Sequence, residues 1–202
     1  MARRLPRRFY ARPAVDLAPD LLGKFLVAER RGRRVAGRIV EVEAYLGPED
    51  LASHAARGLT PRTRVMFGPP GHAYVYLIYG RSFLFNVVCA RRGFPAAVLV
   101  RALEPAEGVR RTTDGPGKLT AALGITLADN ARDLVDGPLW IEERAPAAAV
   151  AVATTPRINV DYAGDWAAEP LRFVDAGSHW LSRRLPDAPR RRGPRHPPLA
   201  AG

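Results

Sequence analysis

The sequence has little of three features that would suggest common kinds of site: cysteine, lysine and long apolar runs. One cysteine, Cys89, among 202 residues excludes an intrachain disulfide and a cysteine-based metal cluster, and it fits a reducing compartment. Lys24 and Lys118 are the only lysines available for Schiff-base chemistry, and both lie in helix-like patterns. No apolar run approaches the roughly 18 residues that cross a bilayer, and the arginine-rich start lacks the apolar segment of a signal peptide. We therefore expect a cytoplasmic protein that makes no membrane contact.

Histidine is also scarce, and its placement gives no sign of a metal centre. The four histidines do not show the H-x-x-x-H pattern or a comparable spacing with which side chains on a helix bind zinc. We therefore expect no metal site. With few candidate nucleophiles for covalent catalysis, an activated water molecule is the favoured reagent if the protein is an enzyme.

Positive charge is concentrated at the two ends of the chain. The formal net charge is +11, residues 1–15 hold five arginines and no acid, and residues 186–202 hold four arginines against Asp187. Arginine pairs with phosphate through its charge and its two-pronged geometry, so basic ends favour DNA, RNA or an anionic membrane as partner. A general compositional bias towards arginine, alanine, glycine and proline explains the same charge equally well.

The pattern of apolar residues predicts an α+β fold in which strands outnumber helices and follow one another through short turns. We expect a single domain over residues 1–185, built on a curved, largely antiparallel sheet with flanking helices. Residues 1–15 are predicted to form a basic arm, and residues 186–202, rich in proline and arginine, a disordered tail. The predicted helices are 14–28, 50–56 and 116–123, and the predicted strands lie within 33–50 (a hairpin or one strand bent at Gly37) and at 73–88, 96–105, 138–142, 147–153 and 171–174.

The stretch EVEAYLGPED, residues 41–50, alternates carboxylates and a tyrosine with small apolar residues. In an extended chain successive side chains point to opposite faces, so Glu41, Glu43 and Tyr45 share one face. The opposite face then holds Val40, Val42 and Ala44. The polar face is either a solvated surface or part of a site.

The second informative stretch is AYVYLIYGRSFLFNVV, residues 73–88, which predicts a β-hairpin. Tyr79 lies beside the turn, where an aromatic ring is unusually exposed unless it inserts into a partner. Asn86 lies inside an apolar run and is either a structural hydrogen-bonding residue or a reader of a base edge. The aromatic residues of this hairpin and the preceding basic loop, residues 57–72, suit stacking on nucleobases with phosphate neutralisation, although such rings are more often core.

From the residues alone, three functions remain open. The alternating carboxylates Glu41 and Glu43 could act as an acid and base pair in a sugar hydrolase. The aromatic and basic surface could belong to a nucleic-acid binding module without catalysis. A single carboxylate could instead activate water in an enzyme that acts on nucleic acid.

Taken in order, the segments EVEAYLGPED, HAARGLTPRTRVMFGPPGHAYVYLIYG, VRALEP and YAGDW resemble the alkyladenine (3-methyladenine, N-methylpurine) DNA glycosylase family. The resemblance runs from about residue 21 to residue 180. It implies a monofunctional repair enzyme that flips damaged purines out of duplex DNA and hydrolyses the bond to deoxyribose. It also implies a monomer without metal or organic cofactor, in the cytoplasm or at a bacterial nucleoid, with alkylated and possibly deaminated or etheno purines as substrates.

The resemblance assigns roles to positions within the matched motifs. It implies that Glu43 is the base that activates water, with Arg101 and the carbonyl of Val160 as further contacts of that water. Arg81 and Ser82, just after the hairpin turn, and Asp161 depart from the family's pattern and put contacts to DNA there in doubt. The implied base pocket is lined by Tyr45, His54, Tyr76, Asn86 and Leu99, the implied wedge is Tyr79, and the implied contacts to the DNA backbone are Arg57, Arg62, Arg64 and Arg81.

Overall fold

The fold is built on an antiparallel sheet with one long strand, Arg33–Tyr45, at its centre. The computed structural model describes residues 2–145 and 149–185. In this part of the chain the helices are α1 (Arg7–Tyr10), α2 (Ala14–Leu21) and α3 (Pro116–Leu123). The strands are β1 (Ala2–Arg4), β2 (Phe25–Arg30), β3 (Arg33–Tyr45), β4 (Ala73–Ile78), β5 (Ser82–Cys89), β6 (Ala96–Pro105), β7 (Leu139–Arg144), β8 (Val152–Thr155) and β9 (Arg172–Asp175). The α+β prediction is confirmed.

The sheet has the order β1-β7-β2-β3-β6-β5-β4, and each pairing in it is antiparallel. Strand β3 has 13 residues, and its residues 37–45 pair with β6 along one edge. Along the other edge β2 pairs with the first half of β3, and β9 pairs with residues 41–43 further along. Strand β8 adds to β9. The length of β3 therefore lets one strand carry both a structural half and the half that holds the two glutamates.

The apolar core lies between the sheet and the helices α2 and α3. Helix α2 packs against β3 and β6, and α3 packs against β5 and β6. Leu17 and Leu21 of α2 and Leu119 of α3 are fully buried in the same cluster as Phe85 and Val98 of the sheet. Close packing also dictates Gly37 on β3, because a Cβ atom there would lie 2.8 Å from Cβ of Leu103. The sheet is consequently held rigidly on the side that faces the helices.

Two β-bulges lie opposite each other on β3 and β6. The pairing runs from Ile39 with Leu103 to Glu41 with Ala102, and then to Val42 with Val100. Val40 and Arg101 are the extra residues of the two strands, and bulges of this kind redirect side chains. The prediction that Val40 shares a face with Val42 and Ala44 is wrong for this reason, since Ile39 takes that place in the core cluster.

The predicted helix over residues 14–28 is only half right. Helix α2 ends at Leu21, Gly23 adopts a left-handed conformation with φ of 80°, and β2 begins at Phe25. The apolar residues of 25–28 fit a helical period by coincidence, and their pairing with β3 and β7 overrides that local pattern. In the region 50–57 the turn of helix is a 3₁₀ segment, His54–Arg57, and begins four residues later than predicted.

The basic arm predicted at residues 1–15 is also wrong over the part described, residues 2–15. Strand β1 adds to the sheet through β7, and Leu5 and Tyr10 are buried in the core cluster. Two of its acidic partners, Glu143 and Asp133, lie far away in sequence, so no local pattern reveals them. Its ion pairs are Arg3 with Glu143 at 2.9 Å, Arg7 with Asp133 at 2.5 Å and Arg12 with Asp20 at 2.7 Å.

Several predicted elements are confirmed. The hairpin of β4 and β5, the strand at 96–105 and the helix at 116–123 lie where the sequence places them. The strands at 139–144 and 172–175 lie within two residues of the predicted ranges. The strand predicted at 147–153 instead covers 152–155, and residues 146–148 fall outside the described part. The predicted tail, 186–202, also lies outside it. No helix in residues 2–145 and 149–185 is long and apolar enough to span a membrane.

Candidate active site

A cavity of about 390 Å³ opens on the face of the sheet that carries the polar side of β3. Its walls come from β3, the β4–β5 hairpin, β6, the 3₁₀ segment at 54–57, the start of α3 and the loop before the 3₁₀ segment Asp161–Ala167. Six residues singled out as pocket or wedge residues line this one cavity, and so do Arg101 and Val160. The six are Tyr45, His54, Tyr76, Tyr79, Asn86 and Leu99.

Glu43 lies directly behind the cavity wall and is completely buried. Its Oε2 accepts hydrogen bonds from the Tyr45 hydroxyl at 3.0 Å and from Arg101 Nη1 at 3.1 Å. Its Oε1 accepts a hydrogen bond from the backbone N–H of Ile158 at 2.8 Å. All three donors line the cavity, although Glu43 does not. The carboxylate is therefore one layer of side chains away from the cavity.

Tyr45 and Arg101 carry the charge states that this arrangement requires. Burial and the nearby Glu43 carboxylate raise the pKa of Tyr45 well above its ordinary value. The hydroxyl therefore stays protonated and donates a hydrogen bond to Glu43. Burial by itself lowers the pKa of Arg101, but Glu43 and Glu41 raise it above the ordinary value. The bulge at Arg101 directs this guanidinium towards both glutamates.

Glu41 does not lie on a solvated surface, which was one of the two alternatives raised for the polar face of this strand. Glu41 is as fully buried as Glu43, and its Oε1 accepts hydrogen bonds from Arg101 Nε at 3.1 Å and from Arg172 Nε at 2.8 Å. Ser182 donates two hydrogen bonds to Glu41, from its backbone N–H to Oε2 at 2.5 Å and from its hydroxyl to Oε1 at 2.6 Å. These partners lie on β6, β9 and the chain after β9, so the environment of Glu41 depends on distant segments that the local alternation does not report.

A buried ion pair that the sequence analysis missed supports the wall from behind. Both Arg157 and Asp50 have fully buried side chains, and they form a two-pronged pair at 2.5 and 2.8 Å. The Arg157 guanidinium also donates to the carbonyl of Ala44 at 2.9 Å and lies 4.8 Å from the ring centroid of Tyr45. The ion pair consequently fixes Tyr45, and it also fixes Ile158, which follows Arg157 in the chain. Both Tyr45 and Ile158 donate hydrogen bonds to Glu43.

Three aromatic rings form one wall of the cavity. His54 Nδ1 lies 2.9 Å from the Tyr74 hydroxyl, and the His54 and Tyr76 rings meet edge to face with centroids 4.6 Å apart. Burial, with the positive charges of Arg62 and Arg57, lowers the pKa of His54 to about 4. Burial also raises the pKa of Tyr76. At neutral pH the wall therefore presents a neutral imidazole and two neutral phenols.

Asn86 and Leu99 form the floor beside this wall. They are directly paired across β5 and β6. The Asn86 side-chain NH₂ donates to the carbonyl of Tyr74 at 3.1 Å, and the residue also lines the cavity. Asn86 therefore makes the structural hydrogen bond raised from sequence, and its place at the cavity leaves the reading of a base edge as a prediction.

Tyr79 lies at the tip of the hairpin and is 86% exposed. Both Tyr79 and Gly80 have positive φ, 50° and 66°, and Arg81 N–H closes the turn on the carbonyl of Ile78 at 3.2 Å. A bulky residue held in this conformation costs on the order of 1–3 kcal/mol, and such strain tends to persist where a side chain must be displayed. The hairpin thus presents a large apolar ring at the cavity edge.

The basic residues predicted to contact DNA lie around the same face, with one distinction. Arg57 and Arg64 belong to the 3₁₀ segments His54–Arg57 and Arg64–Phe67 and are exposed, and Arg81 follows the tip of the hairpin. Arg62 is also exposed, but its guanidinium lies 4.8 Å from the centroid of the Tyr76 ring. Its position is therefore against the pocket wall as well as on the surface.

Val160 and its neighbours complete the cavity opposite the hairpin. Val160 is buried, and its carbonyl already accepts a hydrogen bond from Ala163 N–H at 2.9 Å. The preceding residue, Asn159, has a positive φ of 60°. Tyr162 lines the cavity, is 72% exposed and donates from its hydroxyl to the carbonyl of Ala52 at 3.3 Å. No feature of its local sequence distinguishes Tyr162 from a surface tyrosine, and it too was missed.

Comparisons with known proteins point to one family. A sequence model of one family, described as Methylpurine-DNA glycosylase (MPG), matches residues 8–179. A protein of Anaeromyxobacter dehalogenans (strain 2CP-C) is 57% identical over 91% of this chain and 88% of its own length. One of Myxococcus xanthus (strain DK1622) is 56% identical over 94% and 98%, and one of Methanocella arvoryzae is 50% identical over 90% and 97%. All three carry the name "Putative 3-methyladenine DNA glycosylase".

Proposed function

The chain belongs to the methylpurine-DNA glycosylase family and is a DNA glycosylase, and we propose that it excises damaged purines with water activated by Glu43. The proposed substrates are duplex DNA with alkylated purines, such as 3-methyladenine and 7-methylguanine, and deaminated or etheno purines. The proposed product is an abasic site and the free base. The proposed enzyme acts as a monomer.

The observation that carries this proposal is the position of Glu43. Of the two buried glutamates on β3, it is the one whose hydrogen-bond donors all line the cavity. A general base must reach the proton it removes within hydrogen-bond distance, or through one water molecule. The side chains of Tyr45 and Arg101 both donate to Glu43 Oε2. A small rotation of either side chain would therefore expose this oxygen to a water molecule in the cavity.

The chemistry of purine loss suits an ionised carboxylate at this place. As the bond between purine and deoxyribose breaks, positive charge develops on the sugar. A carboxylate nearby stabilises that charge and also accepts the proton of the attacking water. Arg101 forms an ion pair with Glu43, and Tyr45 and Ile158 hold the carboxylate at a fixed orientation. We propose the carbonyl of Val160 as a further water contact, since the residue lines the cavity.

The dimensions and walls of the cavity support a flipped base as its occupant. Its volume of about 390 Å³ lies near the lower end of the range typical of small-molecule sites. Aromatic rings at the wall suit stacking on a purine, and Asn86 offers an amide near the base edge. An enzyme that acts on a purine within duplex DNA must extrude it at a cost of a few kcal/mol.

Tyr79 is the proposed wedge that offsets part of this cost. Its exposed ring, held by the strained turn at the edge of the cavity, suits insertion into the gap that a flipped nucleotide leaves. Arg57, Arg64 and Arg81 are the proposed contacts to phosphates. Arg81 departs from the family's pattern just after the wedge, and its positive charge supports the proposal that it reaches a phosphate.

The test compares base excision with DNA binding. We expect the wild-type protein to release hypoxanthine or 3-methyladenine from a duplex, and Glu43→Gln to bind the same duplex while its single-turnover excision rate falls by about 10²–10⁴-fold. Glu49→Gln is the matched control, because Glu49 lies just beyond β3 and is exposed. It should leave excision unchanged.

Two outcomes would contradict the proposal in different ways. Excision retained by Glu43→Gln would remove Glu43 from the chemistry. Tight DNA binding by the wild type with no excision of any damaged purine would instead support the alternative raised from sequence, a nucleic-acid binding module without catalysis.

A further inference from the structure

Arg62 is an arginine beside the cavity whose charge the protein does not balance within the described residues. Arg101 is paired with Glu43 and Glu41, and Arg157 is paired with Asp50. Over residues 2–145 and 149–185, no carboxylate lies within ion-pair distance of Arg62. The positive charge of Arg62 therefore acts on its surroundings with little compensation from nearby protein groups.

The surroundings on which this charge acts are the aromatic wall. The Arg62 guanidinium lies over Tyr76, 4.8 Å from the ring centroid, and its Nη2 lies 3.5 Å from the carbonyl of Leu77. Tyr76 lines the cavity, whereas Arg62 does not. The cation consequently lies behind the wall and touches the same ring that faces the cavity.

The effect of Arg62 extends past Tyr76 to the next ring. After burial, the charge of Arg62 is the largest cause of the lowered pKa of His54. His54 in turn contacts both Tyr74 and Tyr76. The potential at the wall is therefore shifted towards positive by a residue that forms no part of the cavity surface.

We infer that Arg62 is a specificity-determining residue that biases the pocket against cationic purines relative to neutral ones. The inference rests on the proposed function and names the substrate property, the charge of the damaged base, that the site discriminates. Methylation at N3 of adenine or N7 of guanine leaves the purine cationic within DNA, whereas deamination of adenine to hypoxanthine leaves it neutral.

The physical reason is competition for one π system. An aromatic ring attracts a cation through the negative charge of its face. The guanidinium of Arg62 already draws on that charge at Tyr76, so a cationic base in the cavity gains less from the ring, and the two positive charges also repel each other. A neutral base stacks on the same ring without either penalty.

This role differs from the backbone contact that the sequence suggests for Arg62. An arginine that only binds a phosphate strengthens the binding of every DNA substrate alike and increases its salt dependence. An arginine that biases the wall changes the ratio of two excision rates. The ratio therefore separates the two roles even if Arg62 also touches a phosphate.

The experiment measures single-turnover excision of 7-methylguanine and of hypoxanthine from duplexes of the same flanking sequence. We expect Arg62→Gln to raise the ratio of the cationic to the neutral rate constant by about three- to tenfold, within the range that a cation–π contact supports. Arg62→Lys keeps the charge and should leave the ratio within about twofold of wild type. Arg64→Gln removes an exposed arginine of the same loop and should weaken DNA binding with no change in the ratio.

An unchanged ratio in Arg62→Gln, with weaker and less salt-dependent binding of both duplexes, would overturn the inference and leave Arg62 as a phosphate contact. A wild-type protein that excises neither base would instead overturn the proposed function, and the inference with it. Arg62 is exposed, so the substitution to glutamine does not disturb the core. Excision by the wild-type protein shows by itself which of the two failures has occurred.

Discussion

Glu41 and Glu43 lie two residues apart on the same strand and share a fully buried setting and a bond to Arg101, yet they differ in every other partner. The remaining donors to Glu41 come from Arg172 and Ser182, which belong to β9 and the chain after it. Those to Glu43 come from Tyr45 and the backbone of Ile158, which form the cavity wall. The Glu41 carboxylate is thus held mainly by residues away from the cavity, and the Glu43 carboxylate is held by residues that line it.

The comparison shows that neither burial nor pairing with an arginine marks a functional carboxylate. A buried ion pair contributes little net stability, because desolvation offsets the attraction, but removing one partner is costly. What distinguishes Glu43 is that its donors face a cavity, so that a ligand or a water can replace one of them. This difference argues against a sugar hydrolase that uses both glutamates, since Arg101 is the one donor to Glu41 that lines the cavity.

The largest stability effect expected from breaking the comparison is that of Glu41→Gln. The substitution leaves Arg101 and Arg172 with one negative charge fewer in a buried site, so we expect the free energy of unfolding to fall by about 3–5 kcal/mol. Chemical denaturation monitored by circular dichroism measures this. The excision rate of the protein that remains folded should fall far less than in Glu43→Gln.

Glu49→Gln is again the control, and as an exposed change it should alter the free energy of unfolding by less than about 0.5 kcal/mol. The distinction between the two glutamates would collapse if Glu41→Gln left stability intact and abolished excision. That result would return Glu41 to the chemistry and revive the carboxylate pair.

The half of the site that depends on local pattern could be predicted from the sequence. Strand alternation places Glu43 and Tyr45 on one face, and the turn residues Tyr79 and Gly80 place an exposed ring at a hairpin tip. Both stretches are short and bounded by turn-forming residues, and the residues that give each signal lie within a few positions of one another. Long-range packing does not override such signals here.

The other half depends on contacts that leave no trace in the local sequence. Ser182 reaches Glu41 across 141 positions, and Arg157 reaches Asp50 across 107. The opposed bulges at Val40 and Arg101 add one residue to each strand, and only the pairing of the two strands reveals them. A pattern of period two cannot show a bulge, so the burial of Glu41 could not be foreseen.

Ser182→Ala tests the structural side of the comparison with a smaller change. The hydroxyl donates to a buried carboxylate, and alanine leaves no side-chain donor in its place. We expect the free energy of unfolding to fall by about 1.5–3 kcal/mol, as for the loss of a hydrogen bond to a charged group. The backbone N–H of Ser182 still donates to Glu41, so the excision rate should stay within about threefold of wild type. That is a smaller change than the loss of one hydrogen bond to a charged group would cause. A change below about 0.5 kcal/mol would mean that water replaces the hydroxyl and that Glu41 is not sealed.

The matching change on the functional side is Tyr45→Phe, and it should affect stability least. It also removes one hydroxyl donor from a buried glutamate, Glu43, but here the cavity can supply a water to the oxygen that loses its partner. We therefore expect the free energy of unfolding to fall by less than about 1 kcal/mol, below the value for Ser182→Ala. Excision measures the other consequence, because Glu43 loses one of the contacts that orient it, and the rate should fall by about three- to thirtyfold if one hydrogen bond to a charged group is lost in the transition state. Equal stability losses in Tyr45→Phe and Ser182→Ala, with excision unchanged in both, would show that the two carboxylates are enclosed in the same way.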